Sequence, residues 1–292
     1  MDPSTIFSVL IQISTMLIIL SIGLQSRWRD LVHALERPRL LCRGFVAVYA
    51  AVPLAAFAAA SLLPLEPAVK VGIVAMALSP LAPLAANKMI AAGAGTSYVV
   101  GMYVGLLMLA VPVVPASLAL LTAITGGTAS IRPGAVALLL TTTVLLPLLA
   151  GIFMAGLVPA AARRIAPVVR VVALAALILL IGLIVIAAHR QILELVGNGT
   201  LLAIVTAEAA GLACGHILGG PDPRQRMALA QAAATRHPGL AVLMIQESFE
   251  IDPAMLAAVL LYLVVGMAIS ALYLRWARGH LAAVPESRAA TL

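Results

Sequence analysis

Residues 231–244 read QAAATRHPGLAVLM, an apolar run that places an arginine and a histidine directly before a Pro-Gly pair. Proline removes a backbone donor, and the residue before it is pushed away from helical angles, so the pattern predicts a break in a helix. An arginine in an apolar segment needs water or a protein interior around it, because it keeps its charge under protein conditions. The stretch therefore predicts a helix that is interrupted beside a buried positive charge.

The composition indicates that this helix lies in a membrane. The chain has 292 residues, of which 63% are hydrophobic and 10% are charged, whereas soluble domains carry about 25% charged residues. A spanning helix needs about 20 mostly apolar residues, and we predict nine such segments. Their ranges are 6–24, 40–63, 70–93, 97–124, 134–158, 169–188, 199–219, 227–246 and 253–274. Because the alternation typical of β-barrel strands is absent, we predict an all-α polytopic membrane protein.

We predict a single integral membrane domain and no enzyme. This domain covers residues 1–292. We predict that it consists of a first half of about 1–125, a second half of about 133–278 and a short cytoplasmic tail at 279–292. No metalloprotease, serine-hydrolase or nucleotide-phosphate motif occurs, so we expect neither catalysis nor a cofactor. Cys42 and Cys214 fit no metal or redox spacing and are expected to be inert packing residues.

The net charge of +7 predicts topology rather than nucleic-acid binding. Alternate joints between the predicted spans hold thirteen arginines, namely Arg27, Arg29, Arg37, Arg39, Arg43, Arg163, Arg164, Arg170, Arg224, Arg226, Arg275, Arg278 and Arg288. The opposite joints hold only Lys70, Arg132 and Arg190. The positive-inside bias places the rich side in the cytoplasm, so we expect an inner-membrane protein with its N-terminus outside and its C-terminus inside.

Three strongly ionised residues lie deep in the predicted spans: Lys88, Glu208 and Arg236. Each is expected to face an interior surface, because a charge facing lipid costs too much. Lys88 lies in the third span and Arg236 in the eighth, each close to helix-breaking residues. The predicted breaks are at Pro80, Pro83, Pro238 and Gly239. Breaks at membrane depth are tolerated only where they are buried in protein or line a cavity.

The positions of the two broken spans predict an internal repeat. When the chain is divided into halves of four and five spans, the broken helix is next to last in each half. The odd offset between the halves inverts one relative to the other. Paired discontinuous helices in inverted repeats indicate a secondary-transporter binding site near the middle of the membrane.

Segments at these breaks and in the first span carry a family resemblance. Residues 14–24 read STMLIILSIGL, residues 80–87 read PLAPLAAN and residues 232–241 read AAATRHPGLA. With these segments the chain resembles the bile acid:sodium symporter family over most of its length. The family's own motifs at the breaks are Pro-Gly-Gly-Thr-x-Ser-Asn and Glu-x-Gly-x-Gln-Asn-x-Gly-Leu-Ala, and both are altered in this chain. The resemblance implies nine helices arranged as a panel and a core.

In the family, these motifs and hydroxyls of the following span supply oxygen ligands to two sodium ions, and this chain keeps few of them. Asn87 matches the asparagine of the first motif. The other ligand positions fall on Ala86, Val100, Val104, Ala232 and Arg236. Because sodium requires a cage of oxygen atoms, we do not expect metal sites of the family's kind.

A cation lies at each altered site, and this suggests a function. Our hypothesis is that Lys88 and Arg236 replace the two sodium ions and attract a small organic anion, such as a carboxylate or sulfonate, in a lipid-embedded transporter. The predicted substrate-binding residues are Asn87, Lys88, Thr235, Arg236 and His237. A desolvated lysine can release its proton, so protons are a candidate coupling ion, through Lys88 or Glu208.

Alternatives remain open at this point. Arg236 and Glu208 can form a structural ion pair, Lys88 can extend to the membrane surface, and His237 can be only a hydrogen-bonded residue at a helix end. A non-transporting sensor or scaffold on the same fold would have a sealed interior with both cations paired. A sodium-coupled symporter would use ligands outside the motifs, such as main-chain carbonyls at the breaks.

Overall fold

The computed structural model describes residues 3–29, 32, 38–124 and 132–282, whose regular structure is helical throughout. The helices, in chain order, are α1 Pro3–Gln25, α2 Pro38–Leu62, α3 Pro67–Leu78, α4 Leu84–Ala91, α5 Thr96–Ile124, α6 Pro133–Leu157, α7 Pro159–Ala187, α8 His189–Glu194, α9 Thr200–Leu218, α10 Pro223–Ala233, α11 Pro238–Ser248 and α12 Pro253–Ala282. Seven of the helices described (α1, α2, α5, α6, α7, α9 and α12) are long and apolar enough to cross a membrane. The architecture is that of a polytopic membrane protein.

Two of the predicted spans are interrupted, as the prolines indicated. The segment predicted at 70–93 is divided into α3 and α4, and the segment predicted at 227–246 is divided into α10 and α11. The count of nine crossings and the inverted repeat stay predictions. The predictions that concern Arg37 and Arg288, and the link between the two halves at 125–131, lie outside the described residues.

Two helices extend beyond the predicted spans. α7 begins at Pro159 rather than at 169, so the predicted joint that carries Arg163 and Arg164 is helical. Arginine is a good helix former, so helical turns that contain arginines can extend an apolar helix. A prediction based on hydropathy leaves such turns out, because they are not apolar. α12 likewise continues to Ala282, so the predicted tail begins inside the helix.

α1, α6 and α7 contact one another, and we name them the panel group; we name the other helices, α2–α5 and α8–α12, the core group, of which α5 and α11 also contact the panel group. Glycines bring α1 and α6 together: a Cβ atom on Gly23 would lie 2.4 Å from the carbonyl oxygen of Leu148, and one on Gly151 would lie 2.5 Å from that of Leu20. Small residues permit such backbone approach between membrane helices. The panel group meets the core group mainly at α5 and α11.

The two helix breaks meet inside the core group. Leu81 and Arg236 pair as an antiparallel bridge. The flanking backbone hydrogen bonds, each 3.1 Å long, run from the N–H of Ala82 to the carbonyl of Thr235 and from the N–H of His237 to the carbonyl of Pro80. The crossing, formed by residues 79–83 and 234–238, thus pairs backbone groups that leave their helices at the breaks, as an apolar interior requires.

Candidate functional site at the helix crossing

A cavity of about 410 Å³ lies between α7 of the panel group and the crossing. Its α7 wall consists of Leu174, Leu177, Ile178, Ile181, Gly182 and Val185. The polar side chains of its other walls are Lys88, Glu208, Thr235, Arg236, His237 and Tyr262. The structure thus brings Glu208 and four of the predicted substrate-binding residues to one cavity, whose lining does not include Asn87.

Arg236 is buried and binds the protein backbone. Its exposed fraction is 2%, its Nη1 donates to the carbonyl of Ser79 at 3.2 Å and its Nη2 donates to the carbonyl of Val48 at 2.6 Å. Its Nε has no hydrogen-bond partner among the described residues. The guanidinium therefore ties the second break to the end of α3 and to α2.

Prolines explain why these two carbonyls are free to accept. Ser79 follows the last residue of α3, and the residue four positions after it is Pro83, which has no N–H. Val48 lies in a π-helical turn of α2, Val46–Ala51, where hydrogen bonds run to the fifth residue onward, and that residue is Pro53. A carbonyl freed inside a membrane needs another donor, and the charged guanidinium supplies one.

Lys88 is half-buried and contacts α12. Its Nζ donates to the hydroxyl of Ser270 on α12 at 3.0 Å. That hydroxyl donates to Oε1 of Gln231 on α10 at 2.6 Å, and Gln231 Nε2 donates to the backbone carbonyl of Ser270 at 3.1 Å. Lys88 is thus joined through Ser270 to the helix that leads into the second break.

His237 is the N-cap of α11. Its Nδ1 accepts the N–H of Leu240 at 3.2 Å, as the helix-end interpretation expected. In a neutral ring an accepting Nδ1 leaves the proton on Nε2, and that atom has no partner in the part of the chain that is described. Thr235 donates its hydroxyl to the carbonyl of Gln231 at 2.6 Å. The start of α11 therefore presents a donor beside the positive end of the helix dipole.

Glu208 lies on α9 with an exposed fraction of 1%. Its Oε2 has no hydrogen-bond partner among the described residues, and neither has the hydroxyl of Tyr262. The hydrogen bonds of Arg236 go to the backbone carbonyls of Ser79 and Val48 and not to this carboxylate. Gly266 packs directly against the carboxylate, since a Cβ atom there would lie 2.7 Å from Oε1.

Asn87 contacts the panel group instead of the cavity. It is exposed on α4, and its Oδ1 accepts a hydrogen bond of 2.7 Å from Nη2 of Arg170. Arg170 lies within α7 rather than in a joint, one turn before the cavity-lining Leu174. The contact therefore bridges the two groups of helices at one end of the cavity.

Sequence reasoning missed four polar residues of this region: Arg170, Gln231, Tyr262 and Ser270. Gln231 opens the stretch quoted first, and a buried amide in an alanine-rich helix was a signal that could have identified it. Single tyrosine and serine residues in apolar helices give no such signal, because they are common there. Arg170 was assigned to a joint together with its neighbouring arginines.

The fold and the cavity define a multi-pass membrane protein whose polar site lies where two broken helices cross. The family model of the Sodium Bile acid symporter family matches residues 12–195, which is more than half of the chain, and the chain belongs to this family. Members of the family are transporters and not enzymes. The match includes the first break and α7, and it ends before Glu208 and the second break. No curated protein matches the chain.

Proposed function

We propose that the protein is a secondary transporter that moves a small organic anion across the inner membrane by alternating access. The observation that carries this proposal is the cavity, which combines Lys88 and Arg236 with an apolar wall on α7. An anionic group would bind near Lys88, the start of α11 and the free Nε2 of His237, while its apolar part would lie against α7. Family membership supports transport as the general activity.

Arg236 takes the place of a bound cation in this proposal. Carbonyl oxygens are typical ligands of hard cations, and the guanidinium occupies those of Ser79 and Val48. An arginine keeps its charge, so the crossing would stay electropositive without a mobile ion. Lys88 would provide the second fixed charge, beside the asparagine that is retained from the family motif.

Alternating access is supported by where the cavity lies. It separates α7 of the panel group from the crossing in the core group, so a relative movement of the groups would open or close it. The hydrogen bond from Arg170 to Asn87 links the groups at one end. On the predicted topology this end faces the cytoplasm, and the bond must break before the cavity opens there.

Uptake by proteoliposomes tests the proposal. Labelled carboxylates and sulfonates are offered to vesicles that contain the purified protein, with sodium, potassium or a pH gradient across the membrane. We expect uptake of at least one anion when potassium replaces sodium. Strict dependence on sodium would overturn the fixed-cation proposal.

Sodium-coupled symport is the second candidate, and family membership favours it. It requires oxygen ligands that the family motifs no longer supply at Ala86, Ala232 and Arg236. The same uptake experiment separates the candidates, because this one predicts no accumulation in potassium. The sensor alternative predicts a sealed interior, and the cavity argues against it; absence of uptake for every anion would favour it.

A further inference from the structure

Glu208 is the one acid among the residues that line the cavity, and the hydrogen bonds of both cations go elsewhere. Arg236 donates to backbone carbonyls and Lys88 donates to Ser270. The carboxylate is buried, and its Oε2 atom has no partner within the described residues. This atom can therefore take up a proton without breaking a hydrogen bond that the structure shows.

A substrate anion and an ionised Glu208 would compete for the same two cations. With Glu208 ionised, the side chains of Lys88, Arg236 and Glu208 sum to one positive charge; with a proton on Glu208 they sum to two. Because Glu208 is buried, the repulsion between its carboxylate and a bound anion is weakly screened. A proton on Glu208 removes this repulsion, so proton binding and anion binding strengthen each other by the same factor.

We infer that Glu208 is the proton carrier of an anion:proton symporter, an inference that rests on the proposed transport function. As the anion enters from one side, the carboxylate of Glu208 takes one proton from water on that side. After the cavity opens to the other side, the anion leaves and the proton passes from the carboxyl to water there. One proton and one monovalent anion move together, and no net charge crosses the membrane.

The other titratable groups around Glu208 are less suited to this role. The groups that interact with its carboxylate are Arg236 at the second break, Lys88 on α4 and Tyr262 on α12. Tyr49 on α2 interacts electrostatically with Arg236. On α9 itself, Nδ1 of His216 is hydrogen-bonded to the hydroxyl of Tyr273 at 2.7 Å. Cys214 precedes His216 by two residues in the sequence and follows Glu208 by six. His237 uses Nδ1 to cap α11, so a second proton on that ring would break the cap.

Sulfonates are the probes of choice for the test, because they stay ionised throughout the pH range and pH then acts on the protein alone. The panel is p-toluenesulfonate, 1-octanesulfonate and taurocholate, each labelled and offered to proteoliposomes without sodium. In the unmodified protein, an inward gradient of 1 pH unit is expected to accumulate a transported sulfonate about tenfold, because the two gradients balance at equilibrium.

Glu208→Gln separates coupling from transport. We expect this variant to lose the pH-driven accumulation but to keep exchange of labelled for unlabelled sulfonate, because glutamine mimics the protonated side chain. Glu208→Asp is expected to restore dependence on the pH gradient, and Glu194→Gln, at an exposed acid on α8, should leave accumulation unchanged. Equal pH-driven accumulation in Glu208→Gln and unmodified protein overturns the inference and leaves the proposed function intact. If neither a sulfonate nor a carboxylate moves under any gradient, the proposed function and the inference both fail.

Calorimetry on the unmodified full-length protein tests the inference without a variant. Binding heats of a transported sulfonate are measured across a series of pH values, at each pH in two buffers with different ionisation enthalpies. We expect the uptake of about one proton per sulfonate bound, as linkage between the two sites requires. Uptake of no proton at any pH would overturn the role of Glu208.

Discussion

The two helix breaks each carry a cation, but the structure uses the two cations differently. Arg236 is almost fully buried and donates to carbonyls on two other segments, whereas the half-buried Lys88 donates to one hydroxyl that is also bonded to Gln231. Removal of Arg236 leaves two backbone groups unpaired, while removal of Lys88 leaves Ser270 paired. The two cations occupy similar positions in the sequence, but we expect them to have different roles. Arg236 is expected to hold the crossing, and Lys88 is expected to bind the substrate.

Arg236→Met is expected to have the largest effect. A hydrogen bond to a charged group contributes about 1.5–3 kcal/mol, and the variant loses two of them in the interior. We expect the free energy of unfolding, measured by denaturant titration in detergent, to fall by at least about 3 kcal/mol. Arg39→Met, at an exposed arginine near the start of α2, is the control and should change it by less than about 0.5 kcal/mol. Equal stability of the two variants would refute a structural role for Arg236.

Lys88→Met is expected to reduce transport more than stability. Loss of one positive charge from the cavity should lower anion uptake at least about tenfold, which corresponds to about 1.4 kcal/mol. The free energy of unfolding should fall by only about 1 kcal/mol, because one hydrogen bond of a half-buried side chain is lost and Ser270 keeps its bond to Gln231. Lys88→Arg keeps the charge and should retain uptake. A destabilisation as large as that of Arg236→Met would remove the contrast between the two breaks.

Arg170→Ala is expected to have a moderate effect on access to the cavity. Loss of the hydrogen bond to Asn87 removes about 1 kcal/mol from the contact between the two groups, which favours the opened state about fivefold. The measurement is the labelling rate of Leu174→Cys by a water-soluble maleimide, in a background that lacks the native cysteines. Arg164→Ala, at an exposed position of the same helix, is the matched control. Equal labelling rates in both variants would show that the bond does not restrain the groups.

The cysteine-free background itself is expected to have the smallest effect. Cys42 and Cys214 are both free, and neither lines the cavity at the crossing. Cys42→Ser combined with Cys214→Ser should leave anion uptake unchanged and alter the free energy of unfolding by less than about 1 kcal/mol. Loss of uptake in this background would assign a role to one of the thiols and would require a different labelling scheme.

The sequence predicted the features that have a strong local cause. Prolines lack a donor, so the breaks near Pro80 and Pro238 could be located, and a charge in an apolar run had to face the interior, so Arg236 and Glu208 could be assigned to it. The acceptors of Arg236 could not be predicted, because the carbonyl of Val48 becomes available only through a π-helical turn. The contact of Asn87 could not be predicted either, because it depends on tertiary packing. The local motif predicted Asn87 as a substrate-binding residue, whereas in the structure it is hydrogen-bonded to Arg170.

Helix ends were predicted less well than helix breaks. Hydropathy locates the apolar part of α7, but the helix continues through turns with Arg163 and Arg164 that extend beyond it. The number of crossings, the inverted repeat and the orientation of the termini depend on how the helices sit in a membrane. They stay predictions that cysteine accessibility from each side of the membrane can test.

The crossing is joined by two main-chain hydrogen bonds, from Ala82 to Thr235 and from His237 to Pro80, which flank the paired residues Leu81 and Arg236. These bonds use backbone N–H and carbonyl groups, of which proline lacks only the N–H, so they impose little on which side chains point into the cavity. Apart from Arg236, whose side chain also holds the crossing, the scaffold can therefore accept new side chains there without a new arrangement of helices. For evolution, a change of driving ion would then require only a few substitutions, and for an engineer the same positions are the place to exchange one energy source for another.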